Sequence, residues 1–345
     1  TRATLTSDQI ARARTKAPLL SDLERVLPDL QRCLSGDKKI SAIEYSPTSL
    51  ETKTKTNPLD RNLDLRLDIN SETENMFGLD LALVEKVLIE FIRDEVSRNR
   101  GFEKVVIGVS GGVDSSVTLY LAVAALGAEN VLGIKMPYST SSKESSDHAD
   151  LVLRATGTQG NTLDISSSVN AYIEQFEKKI SPLRRGNLAA RFRSLVLFDQ
   201  SAKLNAIPLG TGNKSERLLG YYTWHADDSP PINPLGDLFK TQIWALARHL
   251  GVPSVVVTKP ASADLVEGVN DEDELGISYE EADPILYHFL EGCKPDDLKK
   301  RGFVPEQVDL VWTRLSKTHW KRELPTVAMM SSSAIGEFYL RPKDF

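Results

Sequence analysis

From Leu79 onward the chain alternates between apolar faces of helical spacing and short apolar runs. Leu81, Val84, Leu88, Phe91, Ile92 and Val96 recur at helical intervals and predict a helix over 81–96 with one apolar face. Val105-Val-Ile-Gly-Val109 is short and β-branched, which predicts a strand, and a helical pattern follows from about Asp114 to Leu126. The alternation continues with strand 131–134, helix 144–156, strand 161–165, helices 168–180 and 187–205, and strand 206–210. A short helix and a helix carrying Lys240 come next. Such an order predicts an α/β fold, a three-layer sandwich whose mostly parallel sheet is covered on both faces. Ligands of these sheets bind beyond the carboxyl ends of the strands. Ser110, Met136 and Thr211 each follow a predicted strand, so one crevice is expected to hold all three. No internal repeat is evident.

The pattern breaks near residue 75. Residues 35–76 are dense in Ser, Thr, Asn, Asp and Lys, which predicts linker or irregular structure. Residues 7–34 carry Ile10, Leu19, Leu20, Leu23, Val26, Leu27 and Leu30, interrupted by Pro18 and Pro28, enough for one or two short amphipathic helices. The chain therefore divides into an extension, 1–75, and a folded domain, 76–345. The extension reads as a cover for the domain or as a contact between subunits. Its first twenty residues, rich in Arg and Thr and poor in acids, also match a targeting remnant.

Composition narrows the function. With 345 residues, 41% of them hydrophobic, the chain can bury a full core. A net charge of −6 argues against general nucleic-acid binding, which needs a basic face. Two cysteines, Cys33 and Cys293, are too few for a disulfide scaffold or a C-x-x-C site. No apolar run reaches transmembrane length and no cleavable leader is visible, so a cytoplasmic protein without a membrane partner is expected.

The chemistry begins at Ser110-Gly-Gly-Val-Asp-Ser-Ser116, between a predicted strand and a predicted helix. Gly111 and Gly112 permit positive φ and expose consecutive backbone N–H groups. The helix start aims its unpaired donors and partial positive charge at the same point. Ser110 and Ser115 add hydroxyls, and Asp114 adds a carboxylate suited to magnesium, which bridges phosphate oxygens. No G-x-x-x-x-G-K-[ST] occurs, so the loop is not a Walker A loop.

It resembles instead the S-G-G-x-D-S loop of the PP-loop (N-type) ATP pyrophosphatases, whose members cleave ATP between the α and β phosphates. Within that superfamily the downstream segments resemble the ammonia-dependent NAD synthetase family. These are Met136-Pro-Tyr-Ser-Thr-Ser-Ser142, Arg185-Gly-Asn-Leu-Ala-Ala-Arg-Phe-Arg193 and Leu209-Gly-Thr-Gly-Asn-Lys-Ser-Glu-Arg217. Asn233-Pro-Leu-Gly-Asp-Leu-Phe-Lys-Thr-Gln242, Ser262-Ala-Asp-Leu265, Asp271-Glu-Asp-Glu-Leu-Gly-Ile-Ser-Tyr279 and Lys321-Arg-Glu-Leu-Pro325 follow in family order. The resemblance covers residue 79 to the end and implies an adenine nucleotide alpha hydrolase-like, Rossmann-like fold.

It also implies a reaction and a set of roles. Deamido-NAD would attack ATP through its pyridine carboxylate, giving an acyl-adenylate, and ammonia would displace AMP to give NAD. Gly108, Val109, Ser110, Gly111, Gly112, Val113, Asp114 and Ser115 would hold the ATP phosphates, with Ser110 at the reacting centre. Met136, Thr211, Lys240 and Ser262 would also contact ATP, and Asp114 and Glu216 would bind magnesium. Arg193, Trp224, His319, Trp320 and Lys321 would meet deamido-NAD. Asp227 would hold ammonium and accept its proton, because ammonium is not nucleophilic until deprotonated.

Three positions depart from the family pattern: Trp224 stands where many members have a lysine, Pro231 where they have an aspartate, and Trp320 where they have a histidine. Either His225, Asp228 or His319 supplies the lost charge or substrate affinity is altered, and Trp224 either stacks on a ring or packs. Trp320 occupies the histidine position of the usual His-Lys pair. No protein nucleophile is required, only positioning and exclusion of water, and the acidic segment Ser262–Tyr279 reads as a lid or a permanently ordered loop. About 75 residues containing only Cys33 do not accommodate a glutamine amidase, so free ammonia is the expected donor. A homodimer is the family's usual state, with the 81–96 helix either at the contact or buried within one subunit. Rival readings are another PP-loop ligase, which would need its own C-terminal motifs, and a silent nucleotide-binding regulator.

Overall fold

The computed structural model describes residues 78–262, 270–323 and 328. The expectations for 1–75, and the part of the proposed lid at 263–269, lie outside the described residues. In chain order the elements are α1 (Leu81–Arg93), extended by a π-turn at Asp94–Arg98, β1 (Lys104–Gly108), α2 (Val113–Leu126), β2 (Val131–Lys135), α3 (Lys143–Thr156) and β3 (Gln159–Thr162). Next are α4 (Ser166–Phe176), α5 (Pro182–Leu204), β4 (Ala206–Leu209), α6 (Lys214–Leu219) and α7 (Lys240–His249). The chain continues through α8 (Ser254–Val257), α9 (Asp271–Leu275), α10 (Tyr279–Leu290), α11 (Pro295–Lys300) and α12 (Pro305–Lys317).

The strands form one parallel sheet of order β3-β2-β1-β4. Alternate side chains of β1 serve opposite layers. Val105 and Ile107 join Ile92 of α1, Val117 and Leu121 of α2 and Ile243 of α7, whereas Val106 packs with Ile134 and with Leu197 of α5. Each such side chain withdraws about 1.5–3 kcal/mol worth of apolar surface from water, which is why the central strands read as continuous apolar runs. A further cluster, including Leu275, Tyr279, Ile285, Leu286, Leu298 and Val308, joins α6 and the loop before α7 to the helices from α9 to α12.

The sheet order decides where a ligand can sit. The chain moves outward from β1 to β2 to β3, then returns across the sheet to place β4 on the other side of β1. The loops leaving β1 and β4 therefore diverge, and a crevice opens between their carboxyl ends.

Local signals moved several boundaries. Helix α5 begins at 182 rather than 187, because the Ser181 hydroxyl accepts the Arg184 N–H at 3.4 Å and Pro182 occupies the first turn. Strand β3 covers 159–162 rather than 161–165. Leu163 and Ile165 still donate their N–H groups to Lys135 and Pro137, but from the connection to α4. In α1, Ile92 is buried and Leu81, Val84 and Leu88 pack on the core, whereas Phe91 lies with Leu83 and Val87 on an exposed flank.

Candidate active site

The crevice is a cavity of about 330 Å³ bounded by the loops after β1, β2 and β4 and by residues 259–262. It collects Gly108, Val109, Ser110, Gly112, Val113, Asp114, Ser115, Met136, Arg193, Thr211, Glu216, Asp227, Lys240 and Ser262, all singled out from the sequence. At its floor the loop after β1 is fastened by its own hydroxyls. Ser110 Oγ accepts the Gly112 N–H at 3.2 Å and lies 3.1 Å from Ser115 Oγ. Ser115 and Ser116 donate to the Gly112 carbonyl at 3.1 and 2.8 Å. Gly112 caps α2 without a side-chain acceptor, so the helix start faces the cavity with donors suited to an anion.

The two glycines do different jobs. Gly111 has φ +82°, and a Cβ there would stand 2.1 Å from the Ser145 carbonyl oxygen. Its requirement is a left-handed backbone pressed against α3, and it does not line the cavity. Gly112, by contrast, has φ −90°, open to any residue, so the positive φ foreseen for it is not used. What Gly112 contributes is a bare edge facing the cavity.

Above the loop stands a charged group built from three distant segments. Lys240 Nζ, 3% exposed, donates to Asp114 Oδ2 at 2.5 Å and reaches Glu216 Oε1 at 3.5 Å. Asn213 Nδ2 donates to Asp114 Oδ1 at 2.9 Å. The same Asn213 caps α6 by accepting the Glu216 N–H at 2.9 Å, and Glu216 returns a bond to the Asn213 N–H. One ammonium thus faces two carboxylates. Burial, with the Asp114 charge next, pushes Glu216 up to about 8, and Lys240 pulls it back. Lys240 is held above its ordinary value because the attraction of Asp114 and Glu216 outweighs burial. The group is short of positive charge, as a site that accepts a divalent cation should be. Among the described residues no three His, Cys, Asp or Glu side chains converge on one point to hold a metal. Asp114 and Glu216 offer two oxygen donors of the kind magnesium prefers.

The far end carries Arg193 and Asp227. Arg193 donates to the Met136 carbonyl at 3.1 Å and to Ser141 Oγ at 3.3 Å, which fixes the guanidinium across the loop after β2. Asp227 accepts the Thr223 N–H at 2.7 Å; the residue is exposed in the open cavity, and the surrounding protein raises its carboxyl above the usual range, opposed by that bond and by Arg193. Trp224, His319, Trp320 and Lys321 lie outside the cavity lining. Trp224 packs edge-on to Trp320 at 5.3 Å, His319 Nδ1 lies 2.7 Å from the Ser316 carbonyl, and Lys321 donates to the Gly220 and Tyr222 carbonyls at 2.8 and 2.6 Å.

Sequence reasoning missed Lys259, whose Nζ meets Ser145 Oγ at 2.5 Å at the cavity wall, and it gave no role to Asn213. Asp271, placed from the sequence only within a family segment and a lid, is buried at the lining, where it accepts from Tyr221 Oη at 3.2 Å. Their side chains are ordinary polar types, and only the fold brings them to the crevice.

The sequence profile described as NAD synthase matches residues 84–325. The NH(3)-dependent NAD(+) synthetase of Chlorobaculum parvum is 46% identical over 268 residues, 77% of this chain and 96% of that protein. The enzyme of the same description from Trichlorobacter lovleyi is 42% identical over 269 residues, covering 78% of this chain and 98% of that one. Among solved structures, an NH3-dependent NAD synthetase from Campylobacter jejuni superposes with a TM-score of 0.62 at 29% identity, over 72% of this chain and all of that one. An NMN synthetase from Francisella tularensis gives 0.64 at 26%, over 73% and 99%.

Proposed function

The chain belongs to the NAD synthase family, and from that premise we propose how its residues carry out the ATP-dependent amidation of deamido-NAD to NAD with ammonia. The observation that carries the reading is the meeting, in one cavity, of the loop after β1, the Asp114–Lys240–Glu216 group and the Arg193–Asp227 end.

The α2 start and the loop before it hold the triphosphate, and Lys240 offsets charge on the phosphates as the substrate carboxylate approaches. Asp114 and Glu216 would hold magnesium, which would supply positive charge against the phosphates and the leaving pyrophosphate. Met136, Thr211 and Ser262 line the wall against which the nucleoside lies. Arg193 orients the acceptor dinucleotide, with Trp224, His319, Trp320 and Lys321 flanking that end. The carboxylate oxygen of deamido-NAD forms a bond to the α phosphorus as the bond to pyrophosphate breaks. Ammonia then bonds to the acyl carbon as AMP leaves. Asp227 receives the proton that ammonium must lose first, a task helped by a carboxyl held above its ordinary range.

Incubation with ATP, magnesium, ammonium and deamido-NAD should yield NAD, AMP and pyrophosphate in equal amounts. ADP as product, or amidation of deamido-NMN in preference to deamido-NAD, would overturn the reading. An Asp227→Asn enzyme with the parent's ammonia dependence would remove the assigned proton acceptor.

Residues 76–345 act as the catalytic domain in this reading, with 1–75 as an appendage. A homodimer is supported by the exposed apolar flank Leu83, Val87 and Phe91, and sedimentation as a monomer at micromolar concentration would exclude it. No helix of the described residues is long and apolar enough to cross a membrane. We place the reaction in the cytoplasm, where ATP is supplied; recovery in an exported or membrane fraction would contradict this.

A further inference from the structure

Asp283 lies within α10, 0% exposed, and does not line the cavity. Its carboxylate accepts three donors. Ser215 Oγ donates to Oδ1 at 2.5 Å, and Thr241 donates to Oδ2 through its N–H at 3.0 Å and its hydroxyl at 2.8 Å. Ser215 Oγ also accepts the Lys240 N–H at 2.9 Å. Ser215 adjoins Glu216 and Thr241 adjoins Lys240. The carboxylate therefore ties together the two backbone segments from which the paired site residues project.

We propose that Asp283 is a positioning residue that holds Glu216 and Lys240 opposite one another, so that a carboxylate outside the cavity sets the geometry of the triphosphate and magnesium site. This rests on the functional reading above. The physical need is visible at α7, whose N-cap, Phe239, has no side-chain acceptor for the first turn. The first two N–H groups of α7 find theirs in Ser215 Oγ and in Asp283. A helix from the C-terminal cluster thus supplies the missing cap, and its negative charge sits at the positive end of α7. Burial pushes the carboxyl up to about 6 while the Ser215 and Thr241 donors hold it down, which leaves it ionised and accepting at neutral pH.

Asp283→Asn keeps the shape but cannot accept from all three donors, and the site pair loses its common anchor. We expect kcat/KM for ATP to fall about 10- to 100-fold, equivalent to one or two steps of 1.4 kcal/mol. Half-saturation by magnesium should rise, while KM for deamido-NAD stays within about twofold, because Arg193 does not hang from this anchor. Leu286→Ala, a core truncation in the same helix, should lower the melting temperature without changing either constant.

If Asp283→Asn fails to fold, Ser215→Ala breaks the same link and should show the same split. If both fold, the double variant should lose no more than the worse single one. Calorimetric titration with magnesium and ATP reads the effect without turnover. Parental ATP binding in a folded Asp283→Asn or Ser215→Ala protein overturns the proposal, as does an equal loss toward deamido-NAD. Failure of the parent to make NAD would instead defeat the functional reading, with the ATP titration still deciding on Asp283.

Discussion

Glu216→Gln should make this protein more stable and less active. At pH 8 and above the parent sets two partly buried carboxylates, Asp114 and Glu216, against one ammonium, Lys240, which leaves one negative charge without compensation. Glutamine keeps the shape and an oxygen for the Asn213 N–H, and the Asp114–Lys240 pair is then balanced. Glu216 stands at about 8 in the folded chain against an ordinary 4.5. Between those values the folded state binds a proton that the unfolded state lacks, so the parent loses stability as pH rises through this window. At about 1.36 kcal/mol per pH unit the ceiling is about 5 kcal/mol at pH 8, and rearrangement of the site should leave about 2 kcal/mol to be gained. That corresponds to a rise in melting temperature of about 4–8 °C for a domain of this size. Thermal melts of both proteins, without nucleotide or metal and at equal concentration, should diverge at pH 8 and converge near pH 5. Calorimetry should show magnesium–ATP binding weakened in the variant. A glutamine variant that melts with the parent at pH 8, or whose melting temperature falls equally with pH, would refute the argument.

Three further outcomes follow from the geometry. Gly111→Ala should destabilise by more than about 1 kcal/mol, because it combines a left-handed backbone with a clash against Ser145, whereas Gly112→Ala should fold normally and weaken ATP binding; melts and titrations separate the two. Lys240→Met leaves the partly buried Asp114 carboxylate without its cation and should cost about 3 kcal/mol at neutral pH, where Glu216 is mostly protonated, and more above pH 8, where Glu216 also ionises, as chemical denaturation at the two pH values would show. Trp224→Ala should raise KM for deamido-NAD while leaving KM for ATP unchanged, and the reverse pattern in steady-state kinetics would detach Trp224 from the acceptor end.

Much of the site is local and was legible. Ser110 to Ser116 needs only a strand end, two glycines and a helix start, all of which lie within a few residues, and the alternation of elements predicted the parallel sheet. Boundaries shifted where a single cap outweighed apolar periodicity, as Ser181 and Pro182 did at α5. Periodicity puts Phe91 on one apolar face with Ile92, because it marks apolar positions without saying which neighbour covers each one. The helix borders packing on one side and an exposed apolar flank on the other.

The amino-acid order by itself determined which segments become strands and helices, where glycines let the backbone turn after β1, and which segments resemble one family of ATP-using ligases. Tertiary structure alone decided that Asp114, Glu216 and Lys240 share a single buried charge balance, and that Asp283 fastens two of them from outside the cavity. The division has a physical cause. Backbone conformation and apolar periodicity act over a few residues and leave their mark in order and spacing. Burial and Coulomb interaction depend on distance through space, and the separation of 126 positions between Asp114 and Lys240 leaves no local trace of a 2.5 Å contact.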